Sequence, residues 1–266
     1  MITLLYFTLF SHKMRRKGDF FMPIIYLSPS TQEFNPYVGG GNEEYYMNLV
    51  ADAMEPYLAA SGIQFVRNTP EMTAASSITA SNSGNYDLHL ALHSNASGGT
   101  AGARRGSEVY YYPTSVWGKR AADIIANNLK LIYPLPNAVR TVPTTTLGEV
   151  RRTKAPSVLI EFAYHDNAED ADWIRNNIDA IAQNVVLSLT EYFGIPFNMP
   201  QEILIGNINN PNISGANLYA FPSTNSAVKQ WITNGSEIVI YNRQPDWSVV
   251  GFGDNVGYVQ SEYVFV

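Results

Sequence analysis

The sequence predicts an α/β protein in two parts: a mainly parallel, doubly wound sheet with helices on both faces, followed by a small all-β barrel. Three observations lead to this fold class. Short apolar runs alternate with amphipathic segments from Pro23 to about Phe193. Helical periodicity stops at residues 194–200, where proline becomes frequent. Beyond that point, short strand-like runs are separated by Asn, Gly, Asp and Pro turns, which is typical of a small barrel.

The first part opens with a strand over residues 24–27, followed by a loop and a helix from Glu44 to about Leu58. Pro56 is expected to kink this helix or end it early. The apolar stripe of the helix comprises Met47, Val50, Met54 and Leu58. The remaining predicted elements are strands over 64–67, 88–92, 108–112 and 158–161, and helices over 76–83, 119–131 and 170–193. In the second part, the clearest strands cover 237–241, 248–251 and 257–259.

These patterns predict a first domain over residues 22–195, a linker over 196–201 and a barrel domain over 202–266. Residues 1–21 are expected to be an extension of the true start or a disordered tail. Their apolar run, 1–10, is followed by a basic cluster rather than preceded by one, and it lacks a small-residue cleavage site. It is also too short to cross a bilayer. We therefore expect no signal peptide and no membrane span.

The composition excludes several classes of function. The 266 residues carry a formal net charge of −6, and no long lysine or arginine stripe is present, so we expect no nucleic-acid partner. The chain has no cysteine, which excludes disulfides, zinc sites built from thiolates and a cysteine nucleophile.

Two segments carry the clearest chemical signal. Asp87–Ala96 and Pro156–Asn167 each contain a short apolar run that ends in a polar group, His93 in the first and Glu161 in the second. Ligands of open α/β sheets bind beyond the carboxyl ends of the strands, so both side chains are expected in one pocket. An imidazole and a carboxyl group together indicate a hydrolytic site.

With these residues in view, residues 23–195 resemble the zinc-dependent N-acetylmuramoyl-L-alanine amidases, which cleave the amide between muramic acid and the stem peptide of peptidoglycan. The pieces that match, in the family's order, are a strand with its Pro29 loop, Glu44–Leu49, Phe65–Asn68, Asp87–Asn95, Gly106–Tyr112 and Pro156–Asn167. Residues 215–264 resemble bacterial SH3-like domains through Asn217–Thr224, Asp246–Val250 and Gly257–Tyr263.

The resemblance implies a Zn²⁺ cofactor held by three protein ligands, a water activated by the metal, and a glutamate that acts as general base and then as acid. It implies that His93 and Glu44 are ligands and that Glu161 is the catalytic glutamate. The two ligand assignments each have a simpler alternative. His93 could be a hydrogen-bonded strand-end histidine, and Glu44 could be a carboxylate favoured by the helix dipole, with Glu43 as the alternative ligand.

One family feature is missing. The resemblance implies a histidine ligand in the loop after the first strand, where this chain has Ser28–Thr31 followed by Gln32–Asn35. His89 lies four residues from His93, and at about 3.3 Å per residue the separation of about 13 Å is too large for one ion. His165 and Glu33 are the candidate replacements. The alternative for His165 is a turn that leads into the next helix.

Arg151, Arg152 and Asn95 are candidate substrate-binding residues, since a guanidinium makes two-point contacts with carboxylates and carbonyls. The expected partners are peptidoglycan at the site and cell-wall polymer at the barrel, which places the protein in the cell wall or outside the cell by an unknown route. Two other functions stay open. The missing histidine could leave a non-enzymatic muropeptide-binding protein, or the site could hydrolyse a different amide.

Overall fold

A computed structural model of the protein describes residues 22–266. The expectation for residues 1–21 lies outside the described residues. The contacts divide the chain into two compact units. One comprises residues 24–58 and 65–193, and the other contains residues 59–64 and 194–266 together with Met22 and Pro23.

The first unit is built on a six-stranded sheet with the order β2-β1-β3-β6-β4-β5. Its strands are β1 (Ile24–Pro29), β2 (Gln64–Arg67), β3 (Leu88–Asn95), β4 (Ser107–Tyr111), β5 (Val139–Pro143) and β6 (Ser157–Tyr164). The pairs β1–β3, β3–β6 and β4–β5 are parallel, whereas β4 runs antiparallel to β6. The predicted α/β class with a mainly parallel sheet is confirmed.

Six helices accompany this sheet within the described chain: α1 (Glu43–Ser61), α2 (Ala74–Ser83), α3 (Val116–Leu129), α4 (Gly148–Arg151), α5 (Ala168–Asn176) and α6 (Ile178–Phe193). The prediction that Pro56 ends the first helix early is wrong. Pro56 and Asp52 are exposed, so water can solvate the carbonyl that loses its helical partner. The single helix expected over 170–193 is two helices, because the backbone leaves the helical region at Asn177.

The two central strands are longer than the sequence predicts. β3 continues to Asn95 and β6 to Tyr164, so His93 and Glu161 lie inside the strands and not at their ends. Both strands are buried along nearly their whole length, as expected for parallel strands covered on both faces. The sequence analysis did not predict β5 and α4, which have five and four residues and are too short for a clear periodicity.

The second unit contains a seven-stranded sheet with the order β13-β7-β10-β11-β12-β8-β9. Its strands are β7 (Leu204–Ile208), β8 (Gly215–Tyr219), β9 (Val228–Thr233), β10 (Glu237–Arg243), β11 (Trp247–Phe252), β12 (Asn255–Gln260) and β13 (Val264–Phe265). The pairs in this sheet are antiparallel. Its apolar core comprises Ile208, Ala216, Leu218, Ile232, Ile238, Ile240, Val250, Val259 and Val264. The predicted all-β second part is confirmed.

Over residues 22–266, none of the helices combines the length and the apolar character needed to cross a membrane.

A buried carboxylate fixes the chain beyond the central strands. Asp170 is fully buried and accepts hydrogen bonds from Arg105 Nε at 2.8 Å and from the hydroxyl of Tyr133 at 2.7 Å. It also accepts from the backbone N–H groups of Gly106 and Tyr164, each at 3.1 Å. Asp170 therefore joins the end of the loop before β4 to the end of β6.

We predict that Asp170→Ala lowers the free energy of unfolding by about 3–5 kcal/mol, because it leaves a guanidinium and three other donors without their acceptor. Denaturant unfolding measures the change. Glu169→Ala is the matched control, since Glu169 pairs with the same Arg105 but its side chain is 74% exposed. Its effect should stay within about 0.5 kcal/mol. Equal effects of the two substitutions would show that Asp170 does not anchor this region.

Candidate active site

The candidate site lies on one face of β3 and β6. His89, Ala91 and His93 alternate along β3 and therefore share a face. In the register of the two parallel strands, His93 is paired with Glu161. The strand pairing thus brings together the two residues that the sequence singled out.

His93 is held between two carboxylates. Its Nδ1 lies 2.7 Å from Glu43 Oε1, and its Nε2 lies 3.0 Å from Glu149 Oε2. All three residues are buried. Burial by itself lowers the pKa of His93, but the hydrogen bonds and charges of Glu149 and Glu43 outweigh it and raise that pKa well above its usual range. In the arrangement of the structure, both ring nitrogens donate protons.

Glu43 reaches this position because it opens α1 on the buried side of the helix. Asn42 Oδ1 accepts from the backbone N–H of Tyr45 at 2.8 Å, which fixes the start of the helix. Burial alone raises the pKa of Glu43, but its hydrogen bond to His93 and the charge of His93 lower it overall. Glu43 is therefore a carboxylate in this site.

Glu149 lies in the short helix α4 and bridges the two histidines of β3. Its Oε1 is 3.3 Å from His89 Nε2 and accepts from the hydroxyl of Ser28. His89 Nδ1 in turn lies 2.9 Å from Ser81 Oγ. Burial raises the pKa of Glu149, but the hydrogen bonds from His89 and His93 lower it far below its usual range. These contacts make His89 a hydrogen-bonded histidine of the core.

Glu161 differs from the other carboxyl groups of the site. Its Oε2 is buried and has no hydrogen-bond partner among residues 22–266. Burial raises the pKa of Glu161 to about 8; the charge of His93 opposes this shift, and the charges of Glu43, Glu108 and Glu149 add to it. This carboxyl group can therefore hold or release a proton near neutral pH.

Glu108 lies beside Glu161 on the other neighbouring strand. The two are paired across β4 and β6. Glu108 accepts from Arg140 Nε at 2.9 Å, from Asn95 Nδ2 at 3.3 Å and from the hydroxyl of Tyr110. These donors satisfy Glu108, so it contributes fixed negative charge next to Glu161.

The amide of Gln32 approaches the same histidine. Gln32 Nε2 lies 3.3 Å from His93 Nδ1. Asn35 Nδ2 donates to Gln32 Oε1 at 3.3 Å and to Glu43 Oε2 at 2.6 Å. Gln32 and Glu43 are thus held together on the Nδ1 side of His93.

The predicted metal ligands other than His93 lie elsewhere in the structure. Glu44 and Glu33 line an open groove that Gln32 also lines, and it is Glu43 that contacts His93. His165 is buried against the end of β3, where its Nδ1 lies 2.8 Å from the carbonyl of Ser94, and its ring packs on Tyr37. The assignments of Glu44, Glu33 and His165 as ligands stay predictions that this geometry does not favour.

Of the predicted substrate-binding residues, one lies close to the site and two lie at the exposed end of α4. Arg151 ends α4 and Arg152 follows it, and both are exposed. The carbonyl of Arg152 accepts from Asn82. Asn95 lies close to the site through its contact with Glu108. Their roles stay predictions.

The apolar pattern of the sequence distinguishes Glu43 from Glu44, which was the predicted ligand. Glu43 precedes Met47 by four residues and therefore extends the apolar stripe of the helix, whereas Glu44 falls outside it. A partner for His89 and His93 was also to be expected, because buried imidazoles need acceptors. Nothing in the sequence alone identified that partner as Glu149.

Comparison with known proteins identifies the family. Residues 32–191 match the family model described as N-acetylmuramoyl-L-alanine amidase, and residues 214–265 match that of the bacterial SH3 domain. The chain belongs to the N-acetylmuramoyl-L-alanine amidase family. The resemblance expected from the sequence is therefore confirmed.

A curated relative is the N-acetylmuramoyl-L-alanine amidase LytC of Bacillus subtilis (strain 168), which is 31% identical over 164 residues. The match covers 59% of this chain and 32% of LytC, so this chain spans about a third of the length of that relative.

Solved amidase structures share the fold. N-acetylmuramoyl-L-alanine amidase AmiC2 of Nostoc punctiforme matches with a TM-score of 0.57 and 18% identity, over 65% of this chain and 97% of AmiC2. The catalytic domain of CwlV from Bacillus (Paenibacillus) polymyxa var. colistinus matches with a TM-score of 0.57 and 18% identity, over 66% of this chain and all of that domain (100%).

The family implies zinc, which binds to imidazole, carboxylate and thiolate donors. Among residues 22–266, no group of three or more His, Cys, Asp and Glu side chains is spaced to hold a metal ion. The chemistry nevertheless fits. Glu43 and His93 provide a carboxylate and an imidazole, both common zinc ligands. The unpartnered oxygen of Glu161 is the kind of buried polar atom that a bound water or substrate satisfies.

We predict that Glu161→Gln stabilises the metal-free protein more at pH 8 than at pH 5. The pKa of Glu161 is raised in the folded state. The free energy of unfolding of the wild-type protein therefore falls as the pH rises from about 4.5, the pKa of the group in the unfolded chain, toward 8. A neutral glutamine removes that loss. The stability difference should grow by more than about 1 kcal/mol over this range, as measured by denaturant unfolding with a chelator present. A difference that does not change with pH would mean that Glu161 titrates normally.

Proposed function

We propose that this chain hydrolyses the amide bond between N-acetylmuramic acid and L-alanine in peptidoglycan. One observation carries the proposal: in a member of the amidase family, His93 and Glu161 occupy paired positions of two central strands, and Glu43 of α1 contacts His93. Glu161 is also a buried carboxyl group with a pKa near neutrality, as a general acid–base catalyst requires.

Glu43 and His93 would hold the zinc ion on the Nδ1 side of the imidazole. When bound, zinc polarises an amide carbonyl and makes a water more acidic. The hydrogen bond between His93 Nε2 and Glu149 leaves Nδ1 as the ligand atom and fixes the plane of the ring. Metal-binding histidines commonly have such a carboxylate partner. Glu149 is therefore a positioning residue.

Glu161 would move the proton. Its free oxygen accepts a proton from the attacking water and returns it to the nitrogen of the leaving alanine, which restores the carboxylate for the next cycle. Glu108 adds negative charge beside Glu161 and raises its pKa, which makes the carboxylate of Glu161 a stronger base. The guanidinium of Arg140 is exposed and bonded to Glu108, and it would be available to contact a carbonyl or carboxylate of the substrate.

The SH3-like domain would bind cell-wall polymer and keep the catalytic domain close to its substrate. Trp231 is 41% exposed and can stack on a sugar or peptide, whereas Tyr258 is buried in the core of that unit. The family and the substrate favour action in the cell wall or outside the cell. The predicted boundaries, 22–195 for the catalytic domain and 202–266 for the barrel domain, are part of this proposal.

We predict that Glu161→Gln reduces the release of stem peptides from purified peptidoglycan by about 100-fold or more, because the variant cannot take the proton of water. The assay measures new N-terminal alanine. Zinc content and binding to peptidoglycan should stay at wild-type levels. A wild-type protein that binds peptidoglycan but releases no alanine amine would instead favour the non-enzymatic binding function.

We predict that Glu43→Gln and Glu44→Gln have different effects. Glu43 contacts His93 and should be needed for both zinc content and activity, whereas Glu44 lies in the open groove and should tolerate the change. Zinc per chain is measured after dialysis. Loss of zinc in Glu44→Gln with normal zinc in Glu43→Gln would show that Glu44, and not Glu43, is the carboxylate ligand.

A further inference from the structure

The loop after β1 brings a glutamine to the place where a ligand is missing. The family resemblance implies a histidine in this loop, and the chain has none there. Ser30 anchors the loop to the central strand, since its backbone N–H donates to the carbonyl of Leu92 at 2.9 Å, one residue before His93. The backbone N–H of Gln32 donates to Ser30 Oγ at 3.3 Å. The position of Gln32 is therefore fixed relative to His93.

Three groups converge on one side of His93. Glu43 Oε1 is 2.7 Å and Gln32 Nε2 is 3.3 Å from the same ring atom, Nδ1. Asn35 bonds to both Gln32 and Glu43 and holds them side by side. Gln32 is half-buried and lines the open groove, so its side chain is accessible from solvent.

The other candidate ligands point elsewhere. His165 Nδ1 is engaged with the carbonyl and the hydroxyl of Ser94. His89 Nε2 is bonded to Glu149, on the far side of the ring of His93 from Glu43. Glu33 is exposed in the open groove. Gln32 is the side chain that the fold places next to Glu43 and Nδ1.

The orientation of the amide also bears on its role. His93 uses Nδ1–H to bond Glu43, so Gln32 Nε2, a donor, faces another donor. Rotating the amide by 180° exchanges its nitrogen and oxygen, which are assigned from hydrogen bonding. The rotated amide presents Oε1, a metal-ligating atom, at the same point, and it gives up the hydrogen bond of 3.3 Å that Oε1 accepts from Asn35 in the metal-free arrangement.

We propose that Gln32 is the third protein ligand of the metal, so that the site is composed of Gln32 Oε1, Glu43 and His93 Nδ1. This inference rests on the proposed function. An amide oxygen is a neutral, hard donor and binds zinc more weakly than an imidazole. The chain should therefore bind zinc less tightly than a site with two histidines and one carboxylate.

The test compares Gln32→His, Gln32→Leu and the control Glu71→Gln, which changes an exposed carboxylate of the open groove. Zinc affinity is measured by competition with a chromophoric chelator, and the visible spectrum of the cobalt-substituted protein reports the ligand atoms. We expect Gln32→Leu to lose more than about 10-fold in affinity and Gln32→His to gain more than about 10-fold. Glu71→Gln should leave the affinity unchanged. The cobalt spectrum should change in Gln32→His, because nitrogen replaces oxygen.

Melting of the metal-free variants shows whether each is folded, and Gln32→His keeps the test valid should Gln32→Leu unfold. Wild-type affinity in Gln32→Leu, or no gain and an unchanged cobalt spectrum in Gln32→His, would overturn the role of Gln32 while leaving the proposed hydrolysis intact. A wild-type protein that binds no zinc would overturn both. Loss of zinc in Glu43→Gln alone, with Gln32→Leu normal, would assign the metal to Glu43 and His93 without Gln32.

Discussion

The hydrogen-bonded series Glu43–His93–Glu149 is the constraint on which the site depends. It spans three separate parts of the chain: the start of α1, the middle of β3 and the short helix α4. Each partner is buried, so removing any one would leave the others with unpaired polar groups in a medium that solvates charge poorly. The series therefore fixes the ring of His93 in both position and plane, and every other group of the site is arranged around that ring.

The sheet register places the carboxyl group of Glu161 beside the ring of His93. Because β3 and β6 are parallel and adjacent, pairing of His93 with Glu161 places imidazole and carboxyl side by side on one face. The antiparallel β4 then adds Glu108 on the opposite side of Glu161. A slip of one residue in either pairing would turn Glu161 to the other face of the sheet. Ala91 and Leu159 lie on the same face as these polar residues. They pack with Val150 of α4 and stabilise the register.

The sequence predicted the fold class and a common pocket for His93 and Glu161, since the buried strands that carry them have a clear apolar pattern. It predicted less of the surroundings. Choosing Glu44 over Glu43 depends on a rotation of one residue about the helix, which the apolar stripe resolves only when it is extended back to the first turn. Glu149 lies in a four-residue helix without periodicity, and its contacts join residues more than fifty positions apart. Such contacts depend on tertiary packing, which local patterns do not encode.

The charges of the cluster explain why it suits a cation. Glu43 and Glu149 are carboxylates, and Glu161 and Glu108 lie beside them, whereas His93 supplies the central positive charge. Burying so many acidic groups together is unfavourable unless positive charge balances them. In the absence of a cation, protons provide this balance, as the raised pKa values of His93 and Glu161 indicate. A divalent ion at Nδ1 would replace them, so that metal binding and proton release are linked. The perturbed pKa values are one consequence of this buried negative charge, and the cation binding that we propose would be a second.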